Sequence, residues 1–223
     1  MVLSVRAAPE APRRFTARQE GVSHPFQGRF MRRSRADGAT ADQVVREALR
    51  GPPGLGAVRL ITVDGPSGAG KSTFADLVLA RARAAGVDAR LVRTDDFATW
   101  EQPVQWWPRL NTGVLEPLSR GVPGRYRRVE WPDGVPVDGA VVEVAVPEVL
   151  VLEGVSSGRR SIADRIGVAV WMRGPDPATR LERAVARDGE AARAELVRWQ
   201  EFERDWFESD RARERAHFSL HSD

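Results

Sequence analysis

Residues 65–72, Gly-Pro-Ser-Gly-Ala-Gly-Lys-Ser, constrain the fold of this 223-residue chain more than any other stretch in it. Gly65, Gly70, Lys71 and Ser72 satisfy the spacing G-x-x-x-x-G-K-[ST], with the apolar run 58–63 before them and a helical stretch over 71–86, ended by Gly86, after them. In a strand, glycine loop and helix joined in that order, successive backbone N–H groups and the helix N-terminus point at an anion. The chain holds 33 arginines and a single lysine, and that lysine is Lys71. A compact ammonium on a flexible stem can reach the β- and γ-phosphates as a point charge, whereas a planar guanidinium is too wide for the loop. Ser72 is placed to ligate Mg²⁺. The expectation is a nucleoside triphosphate site built from Gly65, Pro66, Ser67, Gly68, Ala69, Gly70, Lys71, Ser72 and Thr73.

Helix and strand alternate from residue 41 on. Val44, Val45, Ala48 and Leu49 share one helical face before Gly51-Pro52-Pro53-Gly54 stops the helix. Short apolar runs follow at 58–63, 89–94, 148–154 and 167–172, with a last one at 217–221, and helical stretches lie at 176–188 and 191–216. Apolar strands separated by helices predict a parallel sheet covered on both faces, an α/β/α sandwich. Residues 100–147 break the alternation: 126–146 reads as β structure with a turn at Pro132-Asp133-Gly134, an inserted flap beside the sheet.

Charge separates the first 40 residues from the rest. They carry eight arginines against Glu10, Glu20 and Asp37, a net +5, while the remainder holds 26 basic and 28 acidic residues. Residues 1–40 therefore read as a disordered basic extension, with Met31 as an alternative start, and 41–223 as the folded domain. A slightly acidic body argues against nucleic acid as a partner. No apolar run approaches the length of a membrane span, and the absence of cysteine suits a reducing cytoplasm.

Having a single lysine, the chain has no second one for the N-K-x-D guanine-reading motif of GTPases, and it is too short for a motor or transporter ATPase. A small-molecule kinase fits, and such an enzyme needs a base, a carboxylate for Mg²⁺ and arginines that close over phosphates. Asp95 and Asp96 follow the second strand, and Glu153 ends the apolar run 148–153. Arg180, Arg183 and Arg187 recur at helical spacing, as a lid or as a solvated face. Arg125, Arg127 and Arg128 beside Tyr126 suit an anionic acceptor or a charged hairpin face. Trp106 and Trp107 offer an aromatic pocket or packing for the flap, and Trp199 and Trp206, on one helical face, read as core.

The segments GPSGAGKST, DDF, PGRYRR, LVLEG and TRLERAVARD, in that order over about residues 41–221, resemble the uridine/cytidine kinase branch of P-loop kinases, relatives of phosphoribulokinase and pantothenate kinase. The resemblance implies a parallel sheet of about five strands in the order 2-3-1-4-5, ATP with Mg²⁺ as donor, and transfer of the γ-phosphoryl group to a hydroxyl of a uridine- or cytidine-like nucleoside. It places Asp95 as the catalytic aspartate, Glu153 as the acid of the family's E-G segment and Arg183 and Arg187 as lid arginines; the residues themselves add Lys71 to catalysis, Ser72 with Glu153 at the metal, and Asp96, Arg125, Tyr126 and Arg128 at the acceptor. The partner is then a small-molecule phosphoryl acceptor, with a homo-oligomer left open. Where the family has D-S-F-Y this chain has Asp95-Asp96-Phe97-Ala98, so the tyrosine that lines the nucleoside pocket is missing, and no histidine follows Tyr126. Two alternatives stand beside this reading: a cytidylate-type nucleoside monophosphate kinase, whose D-S-G-x-x-Y-R segment is absent, and a non-catalytic ATP sensor derived from a kinase.

Overall fold

The computed structural model describes residues 32–221, and six parallel strands carry it. In chain order these are β1 (Arg32–Arg35), β2 (Arg59–Asp64), β3 (Ala89–Arg93), β6 (Val149–Glu153), β7 (Ile166–Met172) and β8 (Phe218–His221), with the hairpin strands β4 (Gly124–Glu130) and β5 (Val137–Val144) lying apart from the sheet. The sheet runs β1-β8-β7-β2-β6-β3. Counted from β2 as the first strand, the five expected strands stand in the order 2-3-1-4-5, and β1 adds a sixth beyond β8. Ordered structure is therefore present before residue 41, where the folded domain was expected to begin. Arg32–Arg35 pairs with Phe218–His221, and helix α1 (Gly38–Arg50) starts at an Asp37 cap whose carboxylate accepts the Thr40 N–H at 2.9 Å. Residues 1–31, including the alternative start at Met31, lie outside the described residues.

Alternation along the central strands sorts the core into two layers. Ile61, Val63, Val151 and Val170 face α1 and α2 (Lys71–Ala84), where they meet Val44, Val45, Phe74 and Val78. Leu60, Leu150 and Leu152 point the other way. There the insertion adds helix ahead of the β structure expected over 126–146. Residues 107–119 are helical: α3 (Trp107–Leu110), a π turn (Asn111–Leu115) and α4 (Glu116–Ser119) run on without a break and bury Leu110, Val114, Leu115 and Leu118 against the sheet. Trp106, 1 % exposed, belongs to this core and offers no pocket.

The flap follows as the antiparallel β4–β5 hairpin, turning at Pro132–Gly134 as the sequence predicts. Helices α5 (Pro177–Asp188) and α6 (Arg193–Asp210) pack together at the sheet's C-terminal end. The long helix expected to residue 216 stops at Arg211, whose left-handed backbone (φ 60°) ends it and leads through a 3₁₀ turn into β8. Among the described residues no helix is long and apolar enough to cross a membrane.

Candidate active site

The loop between β2 and α2 wraps at the C-terminal end of the sheet. Gly70 precedes the first turn of α2 in left-handed conformation (φ 83°), which a side chain would strain. Gly68 (φ 73°) has a second reason to lack a side chain, because a Cβ there would meet the Arg180 carbonyl oxygen at 2.7 Å. Lys71 is only 8 % exposed, and its Nζ rests 3.0 Å from the Pro66 carbonyl at the mouth of the loop.

Behind the loop, Asp64 ends β2 and accepts backbone N–H bonds from Gly65 (2.7 Å), Ser156 (3.0 Å) and Gly158 (2.8 Å). Its burial is complete enough to push the carboxyl up to about 7 despite those donors and the Lys71 charge. Glu153, the last residue of β6, is 2 % exposed. One of its oxygens accepts the Ser72 hydroxyl at 3.2 Å and the other accepts from Arg93 at 2.9 Å, while Arg93 also donates to Asp76 at 2.7 Å. Burial, then the charge of Asp95, raises the Glu153 carboxyl, with Lys71 and Arg93 opposing. Ser72 Oγ and a Glu153 carboxylate oxygen would supply two of the six ligands of octahedral Mg²⁺, with phosphates and water completing the shell.

Asp95 and Asp96 lie in the 3₁₀ turn Thr94–Asp96 directly after β3, beside Glu153 in the sheet register. Both line a cleft of about 1230 Å³ that runs from the glycine loop to the flap, and Lys71, Ser72, Glu153, Arg183 and Arg187 line it too. Arg187 is bidentate to Asp188 at 2.6 Å; that bond raises its pKa, and the carboxylates of Asp95 and Glu153 add to the shift. Arg180 belongs to the same helix but does not line the cleft: it donates to the Ser67 carbonyl at 3.3 Å and holds α5 against the glycine loop.

The acceptor residues expected on the hairpin are not brought together. Arg125 lies on the opposite face of β4 from Tyr126, largely exposed, near Glu143. Arg128 pairs with Glu130 at 2.9 Å. Tyr126 is buried against Phe97, ring centroids 4.5 Å apart, and donates its hydroxyl to Asp96 Oδ2 at 2.5 Å. Its pKa is driven upward by burial and by that carboxylate, and burial likewise raises Asp96. Tyr126 thus orients Asp96 and does not line the cleft. Trp107 turns its ring to the Arg159 guanidinium, 4.4 Å from the centroid, and Trp206 takes the same cation at 4.8 Å.

Sequence reasoning missed Glu203 and the place of Trp199 in the cleft. Glu203, 1 % exposed on α6, accepts the Ser67 N–H at 2.9 and 3.1 Å, the Ser67 hydroxyl, and the Trp199 indole N–H at 2.7 Å. Trp199 packs half-buried against the core, as expected, and also lines the cleft with Trp100 and Trp131. In sequence Glu203 is one of many acids along a charged helix, and only its burial distinguishes it.

A five-strand 2-3-1-4-5 core with a glycine loop between its first strand and helix, an acid ending the third strand and a helix pair after the fourth is consistent with the P-loop kinase fold. A possible uridine kinase from Bacillus stearothermophilus shares this fold with a TM-score of 0.59 at 15 % identity, over 82 % of this chain and 97 % of that one. A protein assigned as a fructose transport system kinase from Silicibacter sp. TM1040 shares it with a TM-score of 0.51 at 20 % identity, over 82 % and 98 %. No family model and no curated protein matches the sequence.

Proposed function

We propose that the protein is an ATP-dependent kinase that transfers the γ-phosphoryl group to a hydroxyl of a small molecule. One observation carries this reading: Lys71, Ser72, Glu153, Asp95, Arg183 and Arg187, scattered over more than a hundred residues, line one cleft. Enclosed loop geometry, a buried ammonium and a Ser–Glu oxygen pair fit MgATP. Gly68, Gly70 and their neighbours would hold its phosphates, and Ser72 and Glu153 its metal. Bound Mg²⁺ supplies charge neutralisation across the β- and γ-phosphates. Lys71 leaves the Pro66 carbonyl for a phosphate oxygen, a stronger acceptor. Asp95, beside Glu153 in the cleft, takes the proton of the acceptor hydroxyl, and Arg183 and Arg187 close over the transferring group. For Arg187 this means exchanging Asp188 for phosphate.

A cytidylate-type reaction would need cations at the acceptor end to hold a nucleotide phosphate. Arg125 and Arg128 do not line that end, which favours an unphosphorylated acceptor. The test is Asp95→Asn, with ADP release and ATP binding measured together. ADP release should fall by at least about a hundredfold, with ATP affinity held within a few fold. Unchanged ADP release would sink the assignment of Asp95 and favour a nucleotide sensor.

A further inference from the structure

We propose that Glu203 and Arg180 are positioning residues for the nucleotide. Reaching from α6 and α5, they hold Ser67 by its amide and its carbonyl, fix the glycine loop before MgATP arrives, and leave the phosphates to the residues that follow Ser67. The inference rests on the nucleotide half of the kinase reading above and needs no transfer step.

Ser67 stands at the front of the loop with each of its hydrogen-bonding groups engaged by a side chain from elsewhere. Its N–H donates to both Glu203 oxygens, at 2.9 and 3.1 Å, its hydroxyl donates to Glu203 as well, and its carbonyl accepts from the Arg180 guanidinium at 3.3 Å. The two side chains are fixed in turn. Glu203 accepts the Trp199 indole N–H at 2.7 Å, and Arg180 Nε donates to the Pro175 carbonyl at 3.2 Å. Burial lowers the Arg180 pKa, and the Glu203 charge is the main influence opposing it. Backbone packing adds a second restraint. A Cβ at Gly65 would strike the Met172 carbonyl oxygen, and one at Gly174 would lie 2.8 Å from Ala69, so the chain leaving β7 for α5 presses on the loop through its backbone.

The side from which these groups arrive decides what they do. Ser67 lines the cleft, whereas Glu203, 1 % exposed, and Arg180 both lie outside its lining, so they grip the loop from behind. A carboxylate in that position does not compete with phosphate from inside the cleft. It does occupy the Ser67 N–H, which leaves the N–H groups from Gly68 onward and the start of α2 as the phosphate cradle. A glycine loop without such contacts samples many backbone conformations, and nucleotide binding would have to order it at a loss of affinity. Charge-assisted bonds on one side of Ser67 and a cation on the other impose that order in advance. The same contacts set the loop against the helix that carries Arg183 and Arg187, because Arg180 lies one turn before Arg183.

The experiment measures MgATP and AMP binding by calorimetry on the full chain, for the wild type, Glu203→Gln, Arg180→Gln and the double variant. Leu118→Val serves as the control, a core change in α4 on the layer of the sheet away from α2 that lowers the unfolding temperature only. Each single variant should weaken MgATP binding by at least about tenfold. AMP, which lacks the β- and γ-phosphates, should lose far less, and the double variant should fall short of the product because both changes act on one residue. Losses that are equal for MgATP and AMP, or that follow the unfolding temperature as in Leu118→Val, would make the two residues merely structural and overturn the proposal. Tighter MgATP binding by Glu203→Gln would overturn it from the other side, as a carboxylate that phosphate must displace. The kinase reading fails separately. MgATP binding that responds to Glu203 while ADP release ignores Asp95→Asn keeps the positioning residues and ends the transfer, whereas a wild type that binds no MgATP ends both.

Discussion

Asp64 and Lys71 stand on either side of the glycine loop, and each makes a claim on one side chain. The Asp64 carboxylate satisfies three buried N–H groups from two segments, so Asp64→Ala leaves three donors without a partner. At about 1–3 kcal/mol for each unsatisfied group, the loss is about 3 kcal/mol or more, read as a lower urea midpoint, with Asp64→Asn milder because its amide oxygen still accepts. The same residue fixes a pH dependence. Its native carboxyl titrates at about 7, against 3.8 when exposed, so between those values the folded state holds the extra proton. Stability contributed there falls as pH rises from about 4 to 7, by at most about 1.4 kcal/mol per unit. Asp64→Asn should flatten that part of the pH–stability curve, and an unaltered slope would count against the raised value. At Lys71 the claim is shape over charge: Lys71→Arg should weaken ATP binding by about tenfold or more, measured by calorimetry, because a fork does not fit where the ammonium sits.

At the scale of elements, α6 is tied to the glycine loop through Glu203, and through Trp199 and Trp100 to the flap turn at Gly134. Glu203→Gln sets an amide N–H₂ against a backbone N–H and should cost about 1–3 kcal/mol. Ser67→Ala should cost less, and the double variant should fall short of the sum, since both changes act on one contact. Additive effects in a urea series would show that the two residues do not share an interaction. The edge strand gives a second prediction. A chain begun at Met31 keeps β1, whereas one begun at Asp37 exposes the β8 edge, and the shorter chain should unfold at a lower temperature and aggregate more readily.

For the whole molecule, what the sequence disclosed follows from how each part is stabilised. Central parallel strands are buried on both faces, so β2, β6 and β7 are written as apolar runs, and the glycine loop is written as a motif because its backbone tolerates few alternatives. The strand β1 is Arg-Arg-Ser-Arg, an edge held by main-chain pairing to β8, and no side-chain pattern announces it. The helical segment 107–119 carries Pro108, Gly113 and Pro117, which hide its period, although Leu110, Val114 and Leu118 keep to one face. The flap side of the cleft was hardly legible: of the acceptor residues expected from the sequence only Asp96 lines it. Tyr126 turned inward, the arginines beside it turned outward, and Trp100, Trp131 and Trp199 converged from three distant stretches.

Pairing β1 with β8 also sets a schedule for biosynthesis. Of the described strands, β1 leaves the ribosome first and its partner last, so at 5–20 residues per second β1 waits on the order of ten to forty seconds for β8. During that interval β2, β3, β6 and β7 can assemble with β7 as an open border, and four consecutive residues that include three arginines stay unpaired in the cell. Three like charges in four residues disfavour pairing of the waiting strand with its copy on a neighbouring nascent chain.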